Sequence, residues 1–237
     1  MGNDRVTGAS AVGRIHENNQ DRHGWRWRKD GSLILAVADG AGSAKHGGEA
    51  ASAVVDSLLA WQSSKPTMTV AEELLEEMRL TQGLLHAMAV KSEEPRNAYN
   101  CTALLVHVSR GGCCHALSVG DSWLTYADEE GAWVCPLPPQ KGQYANETSF
   151  LVSTEEAQWQ VGAWQLPVKS SMVLLTDGLD DIAIHQGNPY APFFRSLTET
   201  LDDVSEKTSW LESFLESQRV DARCPDDRTV LCLTWGG

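Results

Sequence analysis

Apolar runs in this chain arrive in pairs joined by short turn signals, and that pattern constrains the fold more than any other feature. Asp21-Arg-His-Gly-Trp-Arg-Trp27 alternates, turns at Lys29-Asp-Gly31 and continues into the apolar run Ser32-Leu-Ile-Leu-Ala-Val37. Residues 102–108 and 114–119 flank Arg110-Gly-Gly112, and residues 123–127 and 132–136 flank Asp128-Glu-Glu-Gly131. Short apolar runs around Gly-containing turns predict β-hairpins. Residues 171–176 and 229–235 read as further strands. Between them, 48–61 carries Ala and Leu at helical spacing. The stretch 69–90 places Val70, Leu74, Met78, Leu85 and Met88 on one stripe after the capping-box sequence Thr69-Val-Ala-Glu72. Residues 190–201 and 205–218 also read as helices. Strands joined as hairpins predict antiparallel sheets covered by helices rather than a doubly wound parallel sheet. With no linker, repeat or low-complexity tract, residues 1–237 are expected to form a single α+β domain.

Charge narrows the partners. With 19 basic and 32 acidic residues the net charge is −13, which argues against a nucleic-acid backbone or an anionic membrane as the main partner. No apolar run approaches the roughly 20 residues that cross a bilayer. The N-terminal MGNDRVTGAS lacks the charged-then-apolar plan of a signal peptide. Cytoplasm is the expected compartment. The six cysteines (Cys101, Cys113, Cys114, Cys135, Cys224 and Cys232) show no C-x-x-C spacing. They are expected as buried free thiols that pack like small hydrophobes.

The chemistry lies in where the aspartates fall. Val37-Ala-Asp39-Gly40, Val119-Gly-Asp121-Ser122 and Leu175-Thr-Asp177-Gly178 each set an Asp directly after an apolar strand run. Asp226-Asp227 precedes the last strand, and Asp21 begins the first hairpin. A single Asp-Gly is a common turn, but carboxylates at several strand ends of one sheet system can converge. Convergence requires something to offset their repulsion, as Mg²⁺ or Mn²⁺ does through oxygen ligation. Such ions suit phosphoryl chemistry. The patterns G-x-S-x-G, H-E-x-x-H and G-x-x-x-x-G-K of competing hydrolases and nucleotide sites do not occur.

In order, the chain shows His16-x-x-x-Gln20-Asp21, Val37-Ala-Asp39-Gly40-Ala-Gly42 with Gly47-Gly-Glu-Ala-Ala51, Thr102-Ala, and Ser118-Val-Gly-Asp121-Ser122. Leu175-Thr-Asp177-Gly178-Leu-x-Asp181 and Asp226-Asp-Arg-Thr229 follow. This ordered set, spanning residues 13 to 235, resembles the metal-dependent type 2C protein serine/threonine phosphatases, in particular their compact bacterial branch. The stretch Gly142–Thr148 also resembles a segment of that branch, without an assignable chemistry. The resemblance implies a four-layer α/β/β/α sandwich of two antiparallel sheets flanked by helices, with two Mn²⁺ or Mg²⁺ ions at one end. It implies that Asp39 bridges the ions, that the Gly40 carbonyl holds the second, and that Asp177 and Asp226 complete the first. Asp21 would act through metal-bound water, and Asp121 matches a carboxylate associated with a third ion. A metal-bridged hydroxide would attack phosphoserine or phosphothreonine of a protein substrate of a serine/threonine kinase, with the enzyme acting as a monomer.

Three positions depart from the family pattern. Gln20 stands where a Glu is usual, which predicts a weaker second metal site. His16 stands where an Arg usually holds the substrate phosphate, so either His16 or the nearby Arg14 is expected to orient it. Ala41 takes the place of a His that many members use as proton donor. His46, at a helix start, is expected as a solvated residue, and Lys45 as a surface charge. The alternative to an active enzyme is a phosphatase-like binding or regulatory module without turnover. A hydrolase of small phosphate esters would share the same centre.

Overall fold

The computed structural model describes residues 5–62, 68–140 and 148–236. In chain order these form β1 (Arg5–Ala11), β2 (Asp21–Trp27), β3 (Leu33–Asp39), α1 (Gly47–Ala60), α2 (Val70–Lys91), β4 (Ala103–Val108), β5 (Cys113–Val119), β6 (Trp123–Ala127) and β7 (Trp133–Val134). Then come β8 (Gln160–Gln165), β9 (Ser170–Leu175), α3 (Asp180–Ala183), β10 (Ile184–His185), β11 (Asn188–Pro189), α4 (Ala191–Asp203), α5 (Lys207–Leu215), α6 (Gln218–Asp221) and β12 (Arg228–Trp235). Two five-stranded antiparallel sheets result, ordered β1-β12-β9-β6-β7 and β2-β3-β4-β5-β8.

Strand alternation builds the layers. On β3, Leu33, Leu35 and Val37 face Leu124, Leu174 and Leu231 of the opposite sheet. Ile34, Ala36 and Ala38 face Ala50, Val54, Leu74 and Met78 of α1 and α2. A strand buried on both faces has to be apolar at every position. Each such leucine contributes about 1.5–3 kcal/mol by leaving water. The outer face of the first sheet packs Val173, Val230 and Cys232 against Phe194, Leu197 and Leu211 of α4 and α5. The expected α/β/β/α sandwich is the fold.

The expected hairpins and the two long helices are present. Thr69 caps α2 reciprocally with Glu72, as the capping-box sequence predicts. Several details differ. The expected strand over 132–136 is only Trp133–Val134. The expected helix over 205–218 is divided, because Ser217 takes an extended backbone and its side chain accepts the Val220 N–H to start α6. Strands β1 and β8 carry few large apolar residues and no clear turn signal, and their periodicity is not diagnostic. Cys113 is exposed and Cys135 half-buried, whereas the other four thiols are buried as expected. No helix among the described residues is long and apolar enough to cross a membrane.

Candidate metal centre

Sheet register brings the aspartates together. Asp21 opens β2 and Asp39 closes β3, and the two are directly paired across the strands. Asp121 lies just past the end of β5, Asp177 just past β9, and Asp226 just before β12. The glycines following Asp39 and Asp177 answer to crowding. A Cβ on Gly40 would lie 2.3 Å from the Gly47 carbonyl carbon, and one on Gly178 would lie 1.8 Å from the Asp227 carbonyl oxygen. Neighbouring backbone passes so close that only glycine fits.

Carboxylate oxygens of Asp39, Asp121 and Asp177 all lie within 4.8 Å of one another. Asp39 is positioned by Thr102, whose hydroxyl accepts the Asp39 N–H at 2.9 Å and whose own N–H donates to the Asp39 carbonyl at 2.8 Å. Asp121 is buried and accepts the Thr148 hydroxyl at 2.6 Å. Burial raises the Asp39 carboxyl well above the usual carboxylate range, and the charges of Asp21, Asp177 and Asp121 raise it further. Asp177 rises for the same first reason, with Asp121, Asp180 and Asp226 adding to it.

Asp21 is 1% exposed. One of its oxygens, Oδ2, accepts hydroxyls from Thr176 at 2.7 Å and Thr229 at 2.8 Å. The other, Oδ1, is buried without a hydrogen-bond partner. Burial lifts this carboxyl to about 7, against the two threonine bonds that lower it. An orphaned buried carboxylate oxygen beside three crowded carboxylates is a donor set that fits hard divalent cations, which take oxygen ligands and neutralise converging charge.

A second cluster adjoins the first. His16 Nδ1 stands 3.3 Å from Asp226 Oδ1 and 3.1 Å from Asp227 Oδ2. Asp227 is buried and accepts the Gly13 N–H at 2.6 Å and the Gln20 N–H at 2.7 Å, so it pins both ends of the segment between β1 and β2. The Asp226 side chain is 45% exposed and open to a ligand. His16 is thus turned toward the aspartates, while Arg14 on the same segment is exposed. The Gln20 side-chain amide, oriented as the acceptors around it demand, donates to the Gly40 carbonyl at 2.9 Å and to Ala41 O at 3.1 Å. His46 stacks on Tyr99 at 4.9 Å and meets Glu49 at 3.3 Å, and Lys45 pairs with Glu94. The segment 141–147 lies outside the described residues, apart from its neighbour Thr148.

The structure brings Asp39, Asp121 and Asp177 together as expected from the sequence, and adds five supporting residues that had no role assigned there: Thr102, Thr148, Asp227 and the Thr176–Thr229 pair that holds Asp21. Thr102, Thr148, Asp227 and Thr229 fall within the motifs that carry the resemblance, where nothing marks their role, and Thr176 directly precedes Asp177.

Residues 8–216 match the family model of protein phosphatase 2C. Serine/threonine-protein phosphatase 3 of Escherichia coli strain K12 is 28% identical over 251 residues, with 98% of each chain covered. A solved serine/threonine phosphatase of S. agalactiae superposes with a TM-score of 0.77 at 15% identity, covering 98% of this chain and 99% of that one. The catalytic domain of the phosphatase PstP, solved with two manganese ions, gives a TM-score of 0.71 at 17% identity, covering 98% and 97%.

Proposed function

The chain belongs to the protein phosphatase 2C family and is a metal-dependent protein serine/threonine phosphatase, and we propose that Asp39, the Gly40 carbonyl, Asp177 and Asp226 hold two ions, with Asp121 beside a third. Mn²⁺ or Mg²⁺ suits these all-oxygen donors. The observation that carries the assignment is the meeting of Asp39, Asp121 and Asp177 carboxylates within 4.8 Å. When bound, the ions supply Lewis-acid stabilisation of the phosphoryl oxygens and water acidic enough to react at neutral pH.

The chain's own residues do the rest. Thr176 and Thr229 hold Asp21 by one oxygen and leave the other to accept a proton from water. Arg14, exposed between β1 and β2, orients the substrate phosphate. His16, lodged against Asp226 and Asp227, positions those carboxylates instead. With Ala41 where the family often has a proton donor, the leaving alkoxide takes its proton from solvent. We take residues 1–237 as one phosphatase domain acting as a cytoplasmic monomer on a phosphoprotein made by a serine/threonine kinase. The acidic surface supports a protein rather than a nucleic acid as partner.

A binding module without turnover draws support from one contact, the Gln20 amide on the Gly40 carbonyl, which occupies an oxygen assigned to the second ion. The intact aspartate set favours the enzyme. The test is phosphate release from phosphoserine peptides with Mn²⁺ or Mg²⁺. Metal-dependent release, abolished by Asp39→Asn, is expected. Full activity in excess chelator would overturn the reading.

A further inference from the structure

The far end of the sandwich carries a dense positive charge that the metal centre does not use. Residues 22–29 contain Arg22, Arg26, Arg28 and Lys29, four of the 19 basic residues of a chain with net charge −13, and no acid. Arg22 is tied to the aspartate end, donating to Ser52 Oγ at 2.8 Å and to the Asn19 and Asp21 carbonyls at 2.8 and 2.6 Å. The other three stand where β2 turns toward β3. With Trp27, Asp30 and Gln62 they line an open cavity of about 440 Å³.

Arg26 and Arg28 are held in place without an ion pair. Arg26 donates to the Trp61 carbonyl, and the Arg28 guanidinium lies 4.5 Å from the centre of the Trp61 ring. Among the described residues, no carboxylate forms an ion pair with Arg26, Arg28 or Lys29. Asp30, in the lining of the same cavity, accepts the Ser32 N–H at 2.9 Å and the Ser32 hydroxyl at 2.7 Å, and these bonds, with the nearby Arg28 charge adding to them, hold its carboxyl below the usual range. Arg110 of the adjacent β4–β5 turn passes 3.5 Å from where a Cβ on Gly31 would sit, adding a further cation at this end. His107, edge-on to Trp61, is pushed down to about 4 by burial and then by the charges of Arg28 and His115. The acids of α2, Glu73, Glu76 and Glu77, line a neighbouring cavity that shares Gln62 with this one.

We propose that this pocket binds an extended acidic segment of the phosphoprotein substrate, a docking contact remote from the phosphate that is cleaved. The proposal rests on the phosphatase reading above. Arg26 and Arg28 are alternate residues, roughly 6.6 Å apart along the chain, which is the repeat of side chains on one face of an extended peptide. Their guanidinium groups are committed to separate parts of Trp61, so they present successive charges rather than one convergent phosphate cradle. Trp27, 42% accessible and also in the cavity lining, lies between them on the alternate face of the strand. Along β2, Asp21 and Arg28 are about 23 Å apart, or roughly seven residues of extended substrate. The net charge of −13 opposes non-specific approach of an acidic segment, so a local cluster of cations helps select how the substrate lies.

Binding can be read without catalysis, in chelator, by fluorescence polarisation of a short labelled Glu-rich peptide lacking phosphate. Wild-type protein should bind it about tenfold more tightly than a Gln-for-Glu control, and the R28E/K29E double variant should lose that preference. The variant's unchanged melting temperature and unchanged hydrolysis of p-nitrophenyl phosphate would show that it is folded. With Mn²⁺, a Glu run placed about seven residues from phosphoserine should lower KM at constant kcat in wild type only. Equal affinity for the Glu and Gln peptides, or retention of the preference in the double variant, would overturn the docking site and leave the phosphatase reading standing. ATP binding more tightly than the peptide and displacing it would likewise overturn the peptide assignment. Peptide preference without phosphate release from any phosphopeptide would support the pocket and remove the phosphatase reading.

Discussion

Two acidic clusters adjoin at one end of the sandwich, and their surroundings set them apart. Around Asp227 the fold supplies its own compensation: two backbone N–H groups donate to the carboxylate and His16 lies 3.1 Å away. Around Asp39 and Asp177 the charge is left to accumulate, and burial with mutual repulsion raises both carboxyls. A buried anion met by the chain's donors locks structure, whereas one left unmet calls for a cation from outside. The Asp227 cluster therefore positions the segment carrying Gln20 and Asp21, and the Asp39 cluster is the one proposed to hold metal.

The largest expected effect separates the two directly. Asp39→Asn or Asp177→Asn should reduce Mn²⁺-dependent phosphate release by more than the roughly 10–100-fold that loss of a supporting residue around a metal costs. The metal-free protein should melt no lower, and about 2–4 °C higher if the relieved repulsion is worth 1 kcal/mol. Steady-state kinetics and calorimetry check both halves. Asp227→Ala should do the reverse. It strands two N–H donors, costing roughly 2–6 kcal/mol at about 1–3 each, which urea denaturation would register irrespective of metal.

Titration sharpens the contrast. The Asp21 and Asp177 carboxyls sit above their ordinary 3.8, at about 7. Between those values the folded state binds more protons than the unfolded one. Stability of the metal-free protein should therefore fall as pH rises from about 4 to about 7, with the full contribution present on the acid side. Saturating Mn²⁺ should remove or invert that slope, since the ions favour the ionised carboxylates. Melting curves across this range with and without metal provide the comparison. The smallest expected effect is at Gln20. Gln20→Glu exchanges an amide that donates to the Gly40 carbonyl for an anionic oxygen. The Mn²⁺ concentration for half-activity should drop about tenfold, or roughly 1.4 kcal/mol, with little change in turnover at saturation.

Much of this arrangement is legible before any coordinates. Asp39, Asp121 and Asp177 stand out because each directly follows an apolar run, and a strand end is a local pattern. Strand β3 is legible because burial on both faces makes it apolar from Leu33 to Ala38. The anchoring of Asp21 is not, since Thr176 and Thr229 reach it from strands far along the chain and a threonine in a strand has no distinguishing mark. The same holds for Asp227, whose partners Gly13 and Gln20 lie at the opposite end of the sequence. Its role in accepting the two backbone N–H groups is therefore visible only in the fold. Strand β1 escapes for a different reason: a Cβ on Gly8 would lie 2.7 Å from the His23 ring and 2.8 Å from Leu231, Ala9 and Ala11 are the small members of the core under α4 and α5, and small residues carry little apolar periodicity.

The most direct measurement is Mn²⁺ binding by isothermal titration calorimetry at neutral pH, run in parallel on wild type, Asp39→Asn and Asp227→Asn. Saturable binding in wild type, its loss in Asp39→Asn and its retention in Asp227→Asn are expected if unmet charge marks the metal centre. Undiminished binding in Asp39→Asn, or no binding in wild type, would contradict it.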